Sequence, residues 1–334
     1  MKFLPAVLLC AATLTAHAAK ATPAFSDDPA VIFFAHDLEQ NHGFDAAEVL
    51  GQFAKIRPNA RVLQLIEPPA SPQQRSWERY RPRFINERRI MNGVRFWREH
   101  PATLARARAY YGVPEEIIVA IIGVETEYGR NTGNFGTLEA LATLAFHYPR
   151  RAEFFRGELE QFLLLARENH LDPLTVRGSY AGAIGVPQFM PGSQRRFAVD
   201  FDGDGRVDLS GSVDDAIGSV ARFLEQHGWR PGQPIAAPAS LPGDPDPAWL
   251  DAGLLPSLPV GQLQQQGIVT SADSQVMAAL IDLATPGKAS EYWLGFDNFY
   301  VITRYNRSSF YAMSVFQLAE AIRERMVEGE NARQ

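Results

Sequence analysis

The sequence predicts a mainly α-helical protein of the α+β class, and two features indicate this. Apolar residues recur at three- and four-residue spacing through residues 31–110 and in later segments, which is typical of helices with one buried face. Near the C-terminus, the segments VMAALIDLA, SEYWLGF and NFYVITRYN are rich in β-branched and aromatic residues and are bounded by turn residues, which predicts strands. We therefore expect a helical protein with a small β subdomain.

A secretory signal peptide is predicted for residues 1–18. A charged N-terminus, an apolar stretch over residues 3–15 and the small-x-small cleavage site Ala16-His17-Ala18 follow one another in the order of such a signal. The apolar stretch is too short to cross a bilayer as a helix. Because Leu9 stands before Cys10, where a lipobox needs a small residue, we expect no outer-membrane lipid anchor.

The bulk composition excludes several classes of protein. The 334 residues carry a net charge of −6, whereas a nucleic-acid-binding protein would be basic. The single cysteine lies in the signal, so the mature chain has no disulfide or thiol chemistry. The sequence has no phosphate-binding glycine loop, histidine metal cluster or nucleophile elbow, and we expect no organic cofactor.

The length predicts about two domains, and breaks in the helical pattern set the boundaries. Residues 19–30 are polar and rich in Ala and Pro, which predicts a disordered lead-in. Residues 231–275 are rich in Pro, which predicts a linker or irregular subdomain. The folded parts are then a helical N-terminal region (31–110), a central core (111–230), and a small sheet with a C-terminal helix (276–327).

One carboxylate lies where an apolar residue is expected. The segment PEEIIVAIIGVETEYG predicts a helix that stops near Gly129, and Glu125 follows Ile121 and Ile122 on its buried stripe. Burial and the negative end of the helix dipole both raise the pKa of a carboxyl group, as a general acid near neutral pH requires. Glu125 is the candidate catalytic acid. The alternative from this segment alone is a buried ion pair with an arginine.

Two further segments place polar groups in unusual settings. Arg150 and Arg151 stand at the first turn of a predicted helix, where positive charges oppose the dipole, so they are either a solvated pair or holders of an acid or anionic ligand. The segment GSYAGAIGVPQFMP sets Ser179 and Gln188 among small residues. That pattern is typical of a ligand-lined wall and also of tight helix packing.

The segment DFDGDGRVDLSGSVD, residues 200–214, has the spacing of a calcium-binding loop. Three aspartates, a glycine and a backbone carbonyl occupy EF-hand positions one, three, five, six and seven: Asp200, Asp202, Asp204, Gly205 and Arg206. Position twelve is Gly211 rather than Glu, so Asp214 is predicted to complete the shell of a lengthened loop. Oxygen ligands favour one structural Ca²⁺ over Mg²⁺, and the alternative is an Asp/Gly-rich turn without metal.

Tyr305, Asn306 and Tyr80 are the remaining candidate site residues. Tyr305 and Asn306 lie between the last predicted strand and the C-terminal helix, where site residues often occur. Tyr80 belongs to the aromatic helical rhythm of residues 77–97, and by itself it is expected in the core or on the surface.

Five motifs occur here in the order that they have in the lytic murein transglycosylase B family: IIGVETEYG, YPRRAEFF, GSYAGAIGVPQFMP, DFDGDG and FYVITRYNRSSFYAM. The resemblance covers residues 30–327. It implies a lysozyme-like catalytic core in residues 111–230 and a periplasmic lyase that cleaves the β-1,4 bond between N-acetylmuramic acid and N-acetylglucosamine in peptidoglycan. The product carries a 1,6-anhydro ring. The rival interpretations are a hydrolytic muramidase and a non-catalytic peptidoglycan-binding protein.

The resemblance also implies roles for single residues. Glu125 matches the catalytic acid of the GVET motif, whereas Glu127 lies outside the pattern and receives no role. The positions that line the glycan cleft are Tyr80, Arg150, Arg151, Ser179, Gln188, Tyr305 and Asn306. The positions that match the family's single Ca²⁺ loop, including its non-standard length, are Asp200, Asp202, Asp204, Arg206 and Asp214.

No second acid stands out near these motifs. Glu125 is therefore expected to act first as an acid and then as a base that takes the proton of the muramyl C6 hydroxyl, which attacks C1. Arg150 and Arg151 are candidates to orient that carboxylate or to bind the anionic peptide stem. The expected partners are glycan strands of peptidoglycan and cell-wall synthases or divisome proteins, and we expect a monomer.

Overall fold

The computed structural model describes residues 24–68 and 75–331, so the predicted signal peptide over residues 1–18 lies outside the described residues. The chain divides into two compact units at Pro58. Within the described ranges, no helix is long and apolar enough to cross a membrane.

The first unit is a small helical structure. It comprises a 3₁₀ turn (Phe25–Asp27), helix α1 (Pro29–His42) and helix α2 (Ala46–Phe53). Phe25 is buried and meets Phe53 edge-on, with ring centroids 6.3 Å apart. The described part of the predicted disordered lead-in, residues 24–30, is thus folded, because burying an aromatic side chain of this size offsets the cost of ordering a few residues.

The second unit is mainly helical. Its α-helices are α3 (Ala60–Ile66), α4 (Trp77–Tyr80), α5 (Glu87–Glu99), α6 (Pro101–Tyr111), α7 (Glu115–Thr126), α8 (Thr137–His147), α9 (Ala152–Glu168), α10 (Pro191–Phe197), α11 (Val213–Gln226), α12 (Pro247–Asp251), α13 (Val260–Gln265), α14 (Asp297–Thr303) and α15 (Ser309–Asn331). The predicted class, mainly α with a small β component, is confirmed.

Helix α7 lies at the centre of this unit. It packs against α5, α6, α11 and α15, and its side chains are buried on every face, Ile118 and Ile121 completely. A helix that is apolar all round needs such a ring of amphipathic neighbours. Helix α15 supplies Val315 and Leu318 to the same core. The surrounding helices therefore fix α7 in the core, and its last turn approaches the surface.

Two small antiparallel sheets complete the unit. Strands β1 (Phe135–Gly136) and β2 (Arg177–Gly178) pair with each other. Strands β3 (Ala236–Ala239), β4 (Leu258–Pro259), β5 (Met277–Leu283) and β6 (Glu291–Gly295) form a sheet in the order β3-β6-β5-β4. Leu280 on β5 stands opposite Leu294 on β6. The first sheet joins two loops beside the end of α7, and the second supports α14 and α15.

Two predictions near the C-terminus differ from the structure. The segment NFYVITRYN was expected to be a strand, but it contains helix α14, because Phe299 and Ile302 are buried at helical spacing against α15. The Pro-rich residues 231–275, predicted as a linker or irregular subdomain, contribute β3, α12, β4 and α13. A second small core stabilises them, in which Val260 and Leu263 pack beneath β5 and β6.

Candidate active site

Glu125 lies in the last turn of α7. Most of its helix is buried, whereas Glu125 itself is half-buried and keeps some exposed surface. The helix ends at Thr126, before the predicted stop at Gly129, and Glu127 and Tyr128 then adopt left-handed backbone conformations with φ of 52° and 63°. This abrupt end places a carboxylate where a core helix meets the surface.

The carboxyl group of Glu125 is held by a tyrosine from the C-terminal helix. The Tyr311 hydroxyl donates a hydrogen bond of 2.5 Å to Glu125 Oε1. Burial raises the pKa of Glu125 to about 7, and the bond from Tyr311 opposes part of that rise by stabilising the ionised form. Glu125 is therefore populated in both protonation states near neutral pH, as the predicted acid-then-base role requires.

Tyr311 was missed by the sequence interpretation. It lies in the first turn of α15, whose cap Ser308 accepts the Tyr311 backbone N–H at 3.4 Å. The available signal was a phenol on the buried face of an amphipathic helix, since a buried tyrosine hydroxyl needs a polar partner. The pKa of Tyr311 stands well above its ordinary value because of burial and, next, because of Glu125. Tyr311 therefore remains a hydrogen-bond donor.

Two predicted tyrosines stand beside Glu125. The rings of Tyr305 and Tyr311 are stacked, with centroids 6.4 Å apart and planes inclined by 15°. Burial raises the pKa of Tyr80, and the charge of the nearby Glu125 raises it further. Tyr80 also packs on Phe310, the neighbour of Tyr311. The structure thus brings Tyr80 and Tyr305 to the catalytic candidate.

The loop with Ser179 and Gln188 forms a further boundary of the site. Tyr305 donates a hydrogen bond of 2.6 Å to the carbonyl of Pro187, and the Thr126 hydroxyl donates one of 2.8 Å to the carbonyl of Val186. These bonds join the loop to the tyrosines and to the residue that follows Glu125. Gln188 has φ of 52° and donates to the carbonyl of Thr132 at 3.0 Å.

Small residues let the two loops of this boundary touch. Ser179 Oγ accepts the backbone N–H of Ala183 at 3.0 Å, which closes a tight turn. Gly133 has φ of 94°, and a Cβ on it would collide with the carbonyl of Gly178. The β1–β2 pairing runs through the same contact. The backbone therefore forms much of this wall, as the Gly/Ala-rich sequence predicts.

The buried ion pair that the sequence offered as an alternative for Glu125 belongs instead to Glu127. Glu127 is 7% exposed and lies 3.2 Å from Arg88 and 3.9 Å from Arg89, and the Arg89 guanidinium also donates to the carbonyl of Gly123. Tyr128 donates a hydrogen bond of 2.9 Å to the carbonyl of Arg89. These contacts fix the end of α7 behind the Glu125 side chain.

Tyr128 occupies space that two glycines leave open. A Cβ on Gly93 would lie 2.6 Å from the Tyr128 hydroxyl, and a Cβ on Gly123 would lie 2.5 Å from it. Real Cβ atoms do not approach other heavy atoms so closely, so both positions need glycine while Tyr128 is present.

The remaining predicted cleft residues have other contacts. Arg150 lies 3.8 Å from Glu67, and the Arg151 guanidinium lies 4.2 Å from the centre of the Phe154 ring. Asn306 is exposed, and its carbonyl accepts the N–H of Ser308 at 2.7 Å. Neither arginine is the group that hydrogen-bonds Glu125, because that partner is Tyr311.

Three of the predicted metal ligands form one cluster. Carboxylate oxygens of Asp200, Asp202 and Asp204 lie within 4.8 Å of one another. Gly205 has φ of 87°, as the sharp turn at loop position six requires. The three aspartate side chains offer only oxygen atoms, and such donors fit a hard cation such as Ca²⁺.

The structure does not place Asp214 in this cluster. Asp214 Oδ1 accepts a hydrogen bond of 2.8 Å from the Thr103 hydroxyl. The adjacent Asp215, which the sequence did not single out, is 1% exposed and accepts the backbone N–H groups of Phe201 at 2.7 Å and Asp208 at 2.8 Å. Asp215 therefore stabilises the conformation of the loop through hydrogen bonds to its backbone.

A carboxylic acid that stays partly protonated near neutral pH, where a core helix meets the surface, is what general acid cleavage of a glycosidic bond requires. On a mainly helical core, this site defines the class as the lysozyme-like glycan-cleaving enzymes. Comparison with known proteins agrees with that class. Residues 27–320 match the family model described as Transglycosylase SLT domain, and the chain belongs to this family. It is a lytic transglycosylase.

Relatives match along nearly the whole chain. The membrane-bound lytic murein transglycosylase B of Escherichia coli (strain K12) is 44% identical over 317 residues, covering 89% of this chain and 84% of the relative. The soluble lytic transglycosylase SltB1 of Pseudomonas aeruginosa shares 47% identity with a TM-score of 0.81, over 89% of this chain and 99% of that one. The Escherichia coli lytic transglycosylase Slt35 in complex with calcium shares 42% identity with a TM-score of 0.82, over 90% and 95%. The predicted family is confirmed.

Proposed function

We propose that Glu125 is the catalytic residue of this lytic transglycosylase and acts alone as acid and then as base. The observation that carries the proposal is its buried carboxyl with a pKa near 7, hydrogen-bonded by Tyr311. Among the described residues, no second carboxylate contributes to that shift. A single group that is half-protonated at neutral pH serves both steps. The substrate is peptidoglycan, the polymer named for the murein-cleaving relative.

In the proposed reaction, the carboxyl group of Glu125 first donates a proton and then accepts one. Protonated Glu125 gives its proton to the oxygen that links the muramyl C1 to N-acetylglucosamine, and that bond breaks. Positive charge develops on C1 and its ring oxygen. The muramyl C6 oxygen then bonds to C1, and its proton passes to the ionised Glu125. The products are an N-acetylglucosamine end and a 1,6-anhydromuramyl end, no water is consumed, and Glu125 regains its starting state.

The surrounding residues have supporting roles in this proposal. Tyr80 and Tyr305 form an apolar and hydrogen-bonding wall for the sugar rings beside Glu125. Ser179 and Gln188 present the opposite wall, in which backbone groups approach the glycan. Arg150, Arg151 and Asn306 line the outer cleft, where their exposed polar groups can reach the peptide stem.

The loop over residues 200–214 is proposed to bind one structural Ca²⁺. The support is the clustered carboxylates of Asp200, Asp202 and Asp204, and a relative has been solved in complex with calcium. The Arg206 carbonyl is a further proposed ligand. Asp214 completes the proposed set, although its side chain contacts Thr103 here. The ion would stabilise the turn that precedes α11, whose apolar face packs on α7.

We also propose a periplasmic location, with export by residues 1–18 and cleavage after Ala18. The chain is expected to work as a monomer on glycan strands, with cell-wall synthases or divisome proteins as its protein partners. Fusing residues 1–18 to a reporter without its own signal tests the export, and the N-terminal sequence of the secreted reporter should begin directly after Ala18, at the first residue of the reporter.

Glu125→Gln tests the catalytic proposal, because glutamine keeps the shape of the side chain and cannot transfer the proton. On purified sacculi, we expect the release of anhydromuropeptides to fall at least about a hundredfold. Glu99→Gln, at an exposed glutamate on α5, is the matched control. Undiminished release by Glu125→Gln contradicts the assignment. Reducing muramyl ends in place of anhydro ends, seen by mass spectrometry, would identify a hydrolytic muramidase instead.

A further inference from the structure

The segment over residues 75–83, RSWERYRPR, concentrates positive charge beside the site. It carries four arginines and one acid, Glu78. The carboxylate of Glu78 is already paired, since it lies 2.6 Å from the ammonium of Lys288. The arginine charge of this segment is therefore not compensated within it, in a chain whose net charge is −6.

Arg75 is attached to the same elements that hold Glu125. Its Nη2 lies 3.3 Å from the hydroxyl of Ser308, the residue before α15, and its guanidinium lies 5.2 Å from the centre of the Phe310 ring. Phe310 separates Arg75 from the ring of Tyr80 and directly precedes Tyr311 in the chain. Arg75 is exposed, and within the described residues it has no carboxylate partner.

Arg83 stands on the Tyr80 side of the segment. It follows Tyr80 by three residues through α4 and the 3₁₀ helix Arg81–Arg83, and residues at that spacing share a face. Arg83 is exposed and has no hydrogen-bond or ion-pair partner in the part of the chain that the structure describes. The charges of both Arg75 and Arg83 act on the Tyr80 hydroxyl, in the direction that lowers its pKa.

We propose that Arg75 and Arg83 form a subsite that binds carboxylates of the peptide carried by the muramyl residue. The proposal rests on peptidoglycan as the substrate of the Glu125 site. The muramyl lactyl group carries a short peptide with free carboxylates, and guanidinium groups are suited to binding carboxylates. By contrast, the guanidinium of Arg150 already has the carboxylate of Glu67 as a partner. Arg75 and Arg83 keep their charge available beside Tyr80.

This subsite would make the enzyme prefer peptide-bearing strands. An exposed ion pair changes binding by up to about fivefold, and at about threefold for each pair two pairs together change the ratio of kcat/KM between peptide-bearing and peptide-free strands by about tenfold. The preference should also weaken at high salt, because exposed charges are screened within a Debye length.

The test compares two substrates with the full-length enzyme: glycan strands with intact peptides, and strands whose peptides an amidase has removed. In the double variant Arg75→Gln/Arg83→Gln, the ratio of kcat/KM for the two substrates should fall about tenfold and lose its salt dependence. Arg75→Lys/Arg83→Lys keeps both charges and should restore most of the ratio. Arg95→Gln, an exposed arginine on α5 that lies 3.9 Å from Glu99, is the control and should keep the wild-type ratio.

Two outcomes overturn the subsite. Unchanged kcat/KM on both substrates in the glutamine double variant shows that the peptide binds elsewhere, and an equal loss of kcat/KM on both substrates shows that the arginines act on the glycan or on the fold. Neither outcome depends on which residue is catalytic, because Glu125→Gln is judged separately by its anhydro products.

Discussion

Tyr311 donates a hydrogen bond of 2.5 Å to Glu125, although 186 residues separate the two in the chain. Glu125 lies in the last turn of the central helix α7, and Tyr311 lies in the first turn of the C-terminal helix α15. The contact joins the central helix to the C-terminal helix. It also shifts the balance between the protonated and ionised forms of Glu125 towards the ionised form, against the larger effect of burial.

Tyr311→Phe should move the alkaline limb of the activity profile to higher pH. The Tyr311 hydroxyl stabilises ionised Glu125 and so lowers its pKa, and its loss lets burial raise the pKa above the present value of about 7. Activity from the acid form then persists at more alkaline pH, while the base step slows. The measurement is kcat/KM against pH, with Tyr110→Phe, at a tyrosine that is 75% exposed, as the control. A limb that moves to lower pH would exclude this role.

Glu125→Gln should stabilise the protein at alkaline pH. The pKa of Glu125 is about 7 in the folded state and 4.5 ordinarily, so the unfolded chain loses this proton first as pH rises. The wild type is therefore destabilised progressively between about pH 4.5 and 7. The Glu125→Gln variant is not destabilised in this way, because its side chain does not ionise. We expect a gain of up to roughly 3 kcal/mol at pH 8 and none near pH 4. Urea unfolding at both pH values measures it, and Glu99→Gln should show no such pH-dependent gain.

Calcium should raise the midpoint of thermal unfolding, and EDTA should reverse the effect. A ligand at about a thousand times its Kd stabilises by about 4 kcal/mol, which corresponds to several degrees for a domain of this size. Asp202→Asn should abolish the rise, and Asp214→Asn should reduce it if Asp214 is a ligand. Asp244→Asn removes an exposed charge elsewhere and should keep the full rise. Equal midpoints with calcium and with EDTA would argue against a structural ion.

Gly133→Ala should destabilise the cleft wall more than a comparable change elsewhere. Gly287 provides the match: its φ is 79° against 94° for Gly133, but open space surrounds it, whereas the Gly133 position meets the backbone of Gly178. Both changes strain the backbone, and only Gly133→Ala also forces two loops apart, with an expected loss of about 1–3 kcal/mol beyond Gly287→Ala. Urea unfolding compares them. Equal losses would mean that the close approach is unimportant.

Local sequence patterns supplied the candidate residues of the site, and they did not reveal contacts between residues far apart in the chain. Glu125 was identified because it interrupts an apolar stripe, and the loop around Asp202 because its spacing is fixed by coordination. The contact of Tyr311 with Glu125 depends on how α15 packs on α7, which no local pattern reveals. The role of Asp215 was not predicted, because its partners are backbone N–H groups, which leave no residue-specific pattern in the sequence.

The misassigned segments have a related cause. Residues 297–303 are rich in aromatic and β-branched side chains, which favour strands, but packing against α15 determines the helix. The Pro-rich region looked irregular because its elements are short, α12 spanning five residues, and they are stabilised by the sheet beside them rather than by their own composition.

Gly93, Gly123 and Tyr128 lie on two helices and the turn that follows one of them, yet they share a single small volume behind the end of α7. A larger side chain at Gly123 is compatible with this volume only if residue 128 becomes smaller, and one at Gly93 also needs a smaller residue in place of Ile322. In natural variation, these positions should therefore change jointly or not at all. Chains that lack a glutamate at position 125 but keep both glycines and Tyr128 should still possess the unusual helix ending.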